Sequence, residues 1–178
     1  MFTHFYEQAE EAKGRYPFLS RTNLQIVVAE DDRIPFSILY IFATIKPMQE
    51  PSIFTRIING ELPCYKVYED DRVIAFLELH PINEGHTLVV PKKQVDHIWD
   101  LDEDDYDYLW KTAKKIGTHM RDVIGSPRVG IVVEGFGVPH THVHLIPIYQ
   151  GNDLKKPQDK SKSPSSEELE AMAARLRM

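Results

Sequence analysis

The stretch Pro139-His140-Thr141-His142-Val143-His144-Leu145-Ile146-Pro147-Ile148 decides how the rest of the chain is read. Branched and apolar residues separate its histidines, which is the composition of a β-strand. In a strand the side-chain period of two puts His140, His142 and His144 on one face and Thr141, Val143 and Leu145 on the other. Neighbouring imidazoles would then stand about 6.5 to 7 Å apart, two strand rises. At that spacing one ring can attack a substrate while the others contact or protonate it. The plainer alternative is a solvated strand face, although such faces more often carry Lys, Glu or Thr. A metal tripod is another alternative, since imidazole is a common zinc ligand and His86 could join the set, but no obvious carboxylate or thiolate stands nearby.

Over the whole chain, 178 residues with 42% hydrophobic side chains make most economically one domain with a sizeable core. A net charge of -6 implies no broad nucleic-acid surface. One cysteine, Cys64, excludes an internal disulfide and any Cys-x-x-Cys metal pair, which fits a reducing compartment such as the cytoplasm. The start Met1-Phe2-Thr3-His4 lacks the basic and apolar regions of a secretory signal. The apolar run Ile34 to Ile45 is too short to cross a bilayer as a helix, so no membrane association is expected.

Residues 1–47 share no periodicity with the remainder of the chain. Tyr6 to Tyr16 has helical composition, and Asn23 to Val28 and Ile34 to Ile45 are strand candidates. The pattern becomes clean after Met48, which points to a start there and to an N-terminal extension at 1–47, disordered or non-native. An intact mass of the natural protein that includes residues 1–47 would sink that idea. Residues 48–150 read as the functional domain, and 151–178 as a polar linker followed by a short helix.

Within 48–150, Ile53, Phe54 and Ile57 fall at helical spacing, with Gly60 placed to end the turn. Lys66 to Glu69 and Val73 to Leu79 flank Asp70-Asp71-Arg72 as a hairpin, and His86 to Pro91 is a third strand closed by proline. Asp102 is a good N-cap for a long helix, with Leu101 and Tyr106 as a hydrophobic staple. Leu109, Ala113, Ile116, Met120 and Val123 form its apolar stripe, and Gly125 and Pro127 mark its end. Arg128 to Glu134 is a fourth strand. Gly135-Phe136-Gly137-Val138 then leads into the histidines either as a tight hairpin turn or as a concave anion site built from backbone N–H groups. Beyond the linker, Ser165 or Ser166 can cap a helix whose stripe is Leu169, Met172, Ala173 and Leu176.

Taken together, Ile53-Phe54, Ala75-Phe76-Leu77-Glu78, Gly85-His86-Thr87-Leu88-Val89-Val90-Pro91-Lys92-Lys93 and His140-Thr141-His142-Val143-His144-Leu145-Ile146 resemble the histidine triad (HIT) family of nucleotide hydrolases and transferases. The resemblance covers roughly residues 52 to 148 and is closest to the Hint-like branch. It implies an α+β fold, with an antiparallel sheet of about five strands and a long helix and short helices on one face. It also implies a homodimer built through the long helix and a sheet edge, a purine nucleotide or nucleotidyl conjugate as substrate, and no cofactor or metal.

The resemblance further implies that His142 attacks an α-phosphorus to give a nucleotidyl-histidine that water resolves. The reaction would be cleavage of a nucleoside 5′-phosphoramidate or a related conjugate. The alternatives are a dinucleoside polyphosphate hydrolase and a nucleotide-binding or interaction protein without chemistry. His144 and His86 would contact phosphate oxygens or the leaving group, and His140 would support the nucleophile through its carbonyl. Ile53, Phe54, Ile57, Phe76 and Leu79 would wall an apolar slot for the base, and Glu78 would accept hydrogen bonds from the ribose. Glu134, Gly137 and Val138 would stand beside the phosphate, in a loop shorter than the asparagine and Gly-Gln-Ser run of the Hint branch. Many relatives carry Cys-x-x-Cys where this chain has Ser52-Ile53-Phe54-Thr55, so their structural zinc is expected to be absent here.

Overall fold

The computed structural model describes residues 50–155 and 163–178, and the compact unit Pro51–Met178 holds every described helix and strand. The helix, the two strands and the extension read from residues 1–47 lie outside the described residues, as do residues 156–162 of the polar linker.

Helix α1 (Ile53–Ile58) is capped by Ser52, whose hydroxyl accepts the Thr55 N–H. Strands β1 (Lys66–Glu69) and β2 (Val73–Leu77) form the expected hairpin. Asp70 makes its turn by accepting the Arg72 and Val73 N–H groups on one carboxylate oxygen, while the other takes the Tyr68 and Tyr108 hydroxyls. Strand β3 (Thr87–Pro91) comes next, then helix α2 (Glu103–Ile124), β4 (Arg128–Val132), β5 (Val143–Ile148) and helix α3 (Ser166–Leu176). The sheet is antiparallel throughout in the order β1-β2-β3-β5-β4, so β4 is an edge. No helix among the described residues is long and apolar enough to cross a membrane.

Local chemistry sets the helix ends. Asp102 accepts the Asp105 N–H at the start of α2, and Gly125 ends it at φ 75°, a left-handed conformation that costs a residue without Cβ little. Ser165 and Glu168 form a reciprocal capping box at the start of α3. The predicted stripes face the core: Leu109, Ala113, Ile116 and Met120 of α2 are buried and Val123 is half-buried, and Leu169, Met172, Ala173 and Leu176 of α3 are buried. Both stripes pack on Val73, Ala75, Leu77, Val89, Val143 and Leu145 of the sheet. Burial of each such side chain is worth about 1.5–3 kcal/mol.

The opposite sheet face carries a second, smaller cluster, in which Phe54 of α1 covers Ile74, Phe76, Leu88 and Val90. Helices α2 and α3 therefore share one face as expected, while α1 lies across the other.

Two elements differ from the sequence reading. Strand β5 begins at Val143, so His140 and His142 precede it. Pairing with β4 ends at Val132 and with β3 at Val89, although β3 itself runs on to Pro91. The earlier backbone leaves the ladder, the His140 N–H bonding Val138 O nearby and the Thr141 N–H bonding Val95 O of the segment after β3. The start of the linker is ordered too: residues Asp153–Lys155 form a 3-10 turn, and the buried Asp153 accepts the Tyr149 and Gln150 N–H groups.

Candidate active site

The sheet brings the site together by register. Phe76, Leu88, His144 and Val132 are successive partners across β2, β3, β5 and β4, so all four point to the face that α1 covers. His142 reaches the same region, its ring 4.9 Å from that of His144 and 5.0 Å from that of Phe54, centroid to centroid. The row is thus tighter than ideal strand spacing, because the chain turns before β5.

His86 sits at the end of β3 beside His144, and only glycine fits directly before it. Gly85 has φ 86°, and a Cβ there would lie 2.5 Å from the Ile124 side chain. This close approach of α2 to the β3 entrance fixes where His86 starts.

Hydrogen-bond partners assign the proton on each ring. His142 Nδ1 is 2.7 Å from His140 O. A carbonyl can only accept, so Nδ1 carries the proton and Nε2 keeps its lone pair. The Ile82 N–H donates to His86 Nδ1, so the proton of His86 is on Nε2, 2.9 Å from His144 Nδ1. His144 therefore accepts at Nδ1 and presents an Nε2–H donor. The result is a nucleophile and a donor on adjacent rings.

Burial favours the neutral form of His86, His144 and His140. Desolvation, reinforced by the neighbouring His144, pushes the His86 pKa down to about 3. Desolvation, reinforced by His142, pushes His144 down to about 4. His140 is lowered as well, chiefly by burial.

The remaining predicted residues divide by place. Phe54 and Phe76 are buried with an edge-to-face contact at 5.6 Å, and Ile57 and Val138 pack against the same cluster. Ile53 and Leu79 are about half exposed. Glu134 and Gly137 lie in the exposed loop before the histidines. That ten-residue connection from Val132 to Val143 is not a tight hairpin turn. Glu78 follows β2, where its carboxylate accepts the His80 N–H and its own N–H bonds His86 O. It also borders a cavity of about 420 Å³ with Leu77, Leu169 and Met172. That cavity belongs to the α3 side of the sheet, and His86 is the one member of the histidine group that lines it.

His140 does not present its ring to the site. It is fully buried, with Nε2 on Pro91 O and Nδ1 on Ser52 Oγ, each at 2.8 Å. Among the described residues, no three side chains of His, Cys, Asp or Glu are placed to hold a metal ion. The sequence reading named Ser52 and Thr55 as the positions where relatives carry Cys-x-x-Cys and gave them no part in holding His140; it missed Gln94, since nothing in the order of residues links that side chain to a helix some forty positions earlier.

Known sequences and structures agree with this arrangement. The HIT domain profile matches residues 59–151, more than half of the chain. The chain belongs to the HIT family. An uncharacterized HIT-like protein of Borreliella burgdorferi is 40% identical over 107 residues, which cover 56% of this chain and 77% of that protein. The adenylylsulfatase HINT3 of Arabidopsis thaliana is 32% identical over 108 residues, 56% of this chain and 53% of that one. The crystal structure of a Hit-like protein involved in cell-cycle regulation from Bartonella henselae superposes with a TM-score of 0.65 at 30% identity, covering 72% of this chain and 96% of that one. The five-stranded sheet with its histidine row is thus the HIT fold.

Proposed function

We propose that this HIT protein hydrolyses a nucleoside 5′-phosphoramidate or a related nucleotidyl conjugate through a nucleotidyl-His142 intermediate. The observation that carries the proposal is the His142 Nδ1 to His140 O hydrogen bond, which leaves Nε2 as a nucleophile beside the His144 donor.

His142 Nε2 attacks the α-phosphorus, and the bond from phosphorus to the leaving nitrogen breaks with its electron pair on nitrogen. A proton taken up with the substrate resides on the leaving nitrogen, which departs as the neutral amine, while the His144 Nε2–H donates to a phosphoryl oxygen; His144 takes no proton itself, because its Nδ1 already accepts from His86 Nε2. Water then attacks the phosphorus and gives up a proton to solvent, and the bond from phosphorus to Nε2 breaks with its electrons returning to His142. His86 acts through His144, since its own Nε2 is committed there. Backbone N–H groups of Gly137 and Val138, with Glu134 beside them, face the phosphoryl oxygens, while Ile53, Phe54, Ile57, Phe76 and Leu79 hold the purine and Glu78 the ribose. Every step proceeds with protein side chains and water.

The same reading makes the protein a cytoplasmic homodimer. The dimer is supported by β4, which has no partner on its outer side among the described strands and where Ile131 is 49% exposed. A second substrate class, an adenylyl conjugate with a non-nitrogen leaving group, is favoured by the similarity to the adenylylsulfatase HINT3.

The test is turnover of adenosine 5′-phosphoramidate in excess chelator by the natural protein and by His142→Asn. Release of AMP by the first and not the second is expected. Nucleotide binding without turnover in both would overturn the enzyme reading in favour of a binding module. Activity lost to the chelator would replace it with a metal reaction, and a preference for diadenosine polyphosphates would move the substrate class.

A further inference from the structure

A polar cluster, buried at Ser52 and His140 and half-buried at Thr55 and Gln94, joins the start of α1 to the histidine row, and the side chains of Ser52, Thr55 and Gln94 have no part in the proposed reaction. Its centre is His140. Pro91 O can only accept, so His140 carries its proton on Nε2, and Nδ1 of the neutral ring must accept from the Ser52 hydroxyl. Ser52 Oγ in turn accepts the Thr55 N–H at 3.0 Å. Thr55 Oγ1 donates to Gln94 Oε1, which also accepts the Ser52 backbone N–H at 3.0 Å. One ordering of protons serves these bonds; with the Ser52 proton directed at His140 and the Thr55 proton at Gln94, the remaining approaches of Thr55 Oγ1 to Ser52 Oγ at 3.1 Å and to His140 Nδ1 at 3.4 Å carry none.

Relatives with Cys-x-x-Cys at these two positions hold a structural zinc there. In this chain the two positions offer neutral hydroxyls, Gln94 adds a neutral amide oxygen, and both nitrogens of His140 are engaged. That donor set does not fit zinc, which takes thiolates, free imidazoles and carboxylates. A chain of hydrogen bonds occupies the place instead.

We propose that Ser52, Thr55 and Gln94 are positioning residues whose hydrogen bonds hold His140 so that its backbone carbonyl stays aimed at His142 Nδ1. The proposal rests on the reading of His142 as the nucleophile. The mechanical path is short. Ring contacts tie His140 to α1 and to the end of β3, and the next peptide N–H, that of Thr141, is fixed to Val95 O at 2.6 Å. The 140–141 peptide is therefore held on both sides, and its carbonyl meets His142 at 2.7 Å. If the ring of His140 slackens, the carbonyl tilts. His142 then populates the tautomer with its proton on Nε2, which has no lone pair for attack.

Ser52 also caps α1, so its hydroxyl is removed with Ser52→Gly, since glycine preserves most of an N-cap. Thr55→Val breaks the next link, and Ser52→Thr is the conservative control. The readouts are ring ¹⁵N shifts of His140 and His142, and kcat and KM for adenosine 5′-phosphoramidate. In the natural protein we expect His142 as a single Nδ1–H tautomer. In Ser52→Gly and Thr55→Val we expect a tautomer mixture at His142 and a kcat about tenfold lower, the weight of one lost hydrogen bond, with KM changed by less than about twofold. Ser52→Thr restores both. Ser52→Gly with unaltered His142 shifts overturns the proposal, as does a kcat loss matched by the fraction unfolded. If the natural protein proves inactive, the nucleophile reading falls, and the ring shifts still decide whether the cluster sets the tautomer.

Discussion

His142 and its neighbours show how much one atom's proton decides. With Nδ1 committed to His140 O, removing the ring removes the nucleophile itself, so His142→Asn should lower turnover by roughly 10³-fold or more while nucleotide binding survives. Binding lost in parallel would mean that the ring holds the ligand rather than attacking it. His86 works one step back: His86→Ala frees His144 Nδ1 and unties its tautomer, so kcat should fall roughly ten- to a hundredfold with little change in KM. An unchanged kcat would show that His144 needs no partner. The alternation of the histidines was legible from the order of residues. Which ring has both nitrogens engaged was not, because His140 and His142 are equivalent in a period-two pattern, both are buried, and they differ in what α1 and β3 place against them.

Elements were read most accurately where one local rule acts alone. Helix α2 has its cap, stripe and stop written into Asp102, the apolar spacing and Gly125. Nothing lies within 4 Å of a Cβ built on Gly125, so the cost of Gly125→Ala is purely the left-handed backbone. That cost is about 1 kcal/mol, which should lower Tm by about 2–5 °C. An unshifted Tm would show that the C-cap relaxes. Strand ends were read less accurately: β5 begins only at Val143, where its ladder to β3 starts, although β3 itself runs on to Pro91. Strand β4 is the last of the described strands and exposes Ile131, so Ile131→Lys should convert a dimer into a monomer in sedimentation experiments. A protein monomeric before the substitution removes β4 from consideration as an interface.

At the scale of the molecule, burying neutral histidines ties stability to pH. His86 titrates near 6.5 when unfolded, and burial lowers it to about 3 in the folded state, with His144 lowered to about 4. Below pH 6.5 the unfolded chain binds protons that the folded one refuses. The stabilisation is therefore complete above about 6.5 and is lost progressively as the pH falls toward the folded values, with a slope approaching about 1.4 kcal/mol per pH unit for His86. The urea midpoint should fall between pH 7.5 and 5, and less steeply in His86→Gln. A midpoint constant over that range would place these rings in water rather than in the core.

The sequence alone determined the period of each element, the caps of the helices and the family pattern of the histidines, because these depend on neighbours within a few positions. Only the tertiary structure decided that α1 crosses to the face away from α2, and that Ser52, Thr55 and Gln94 close around His140. Contacts between residues forty to ninety positions apart are chosen by the packing of the whole sheet, and no local spacing encodes them.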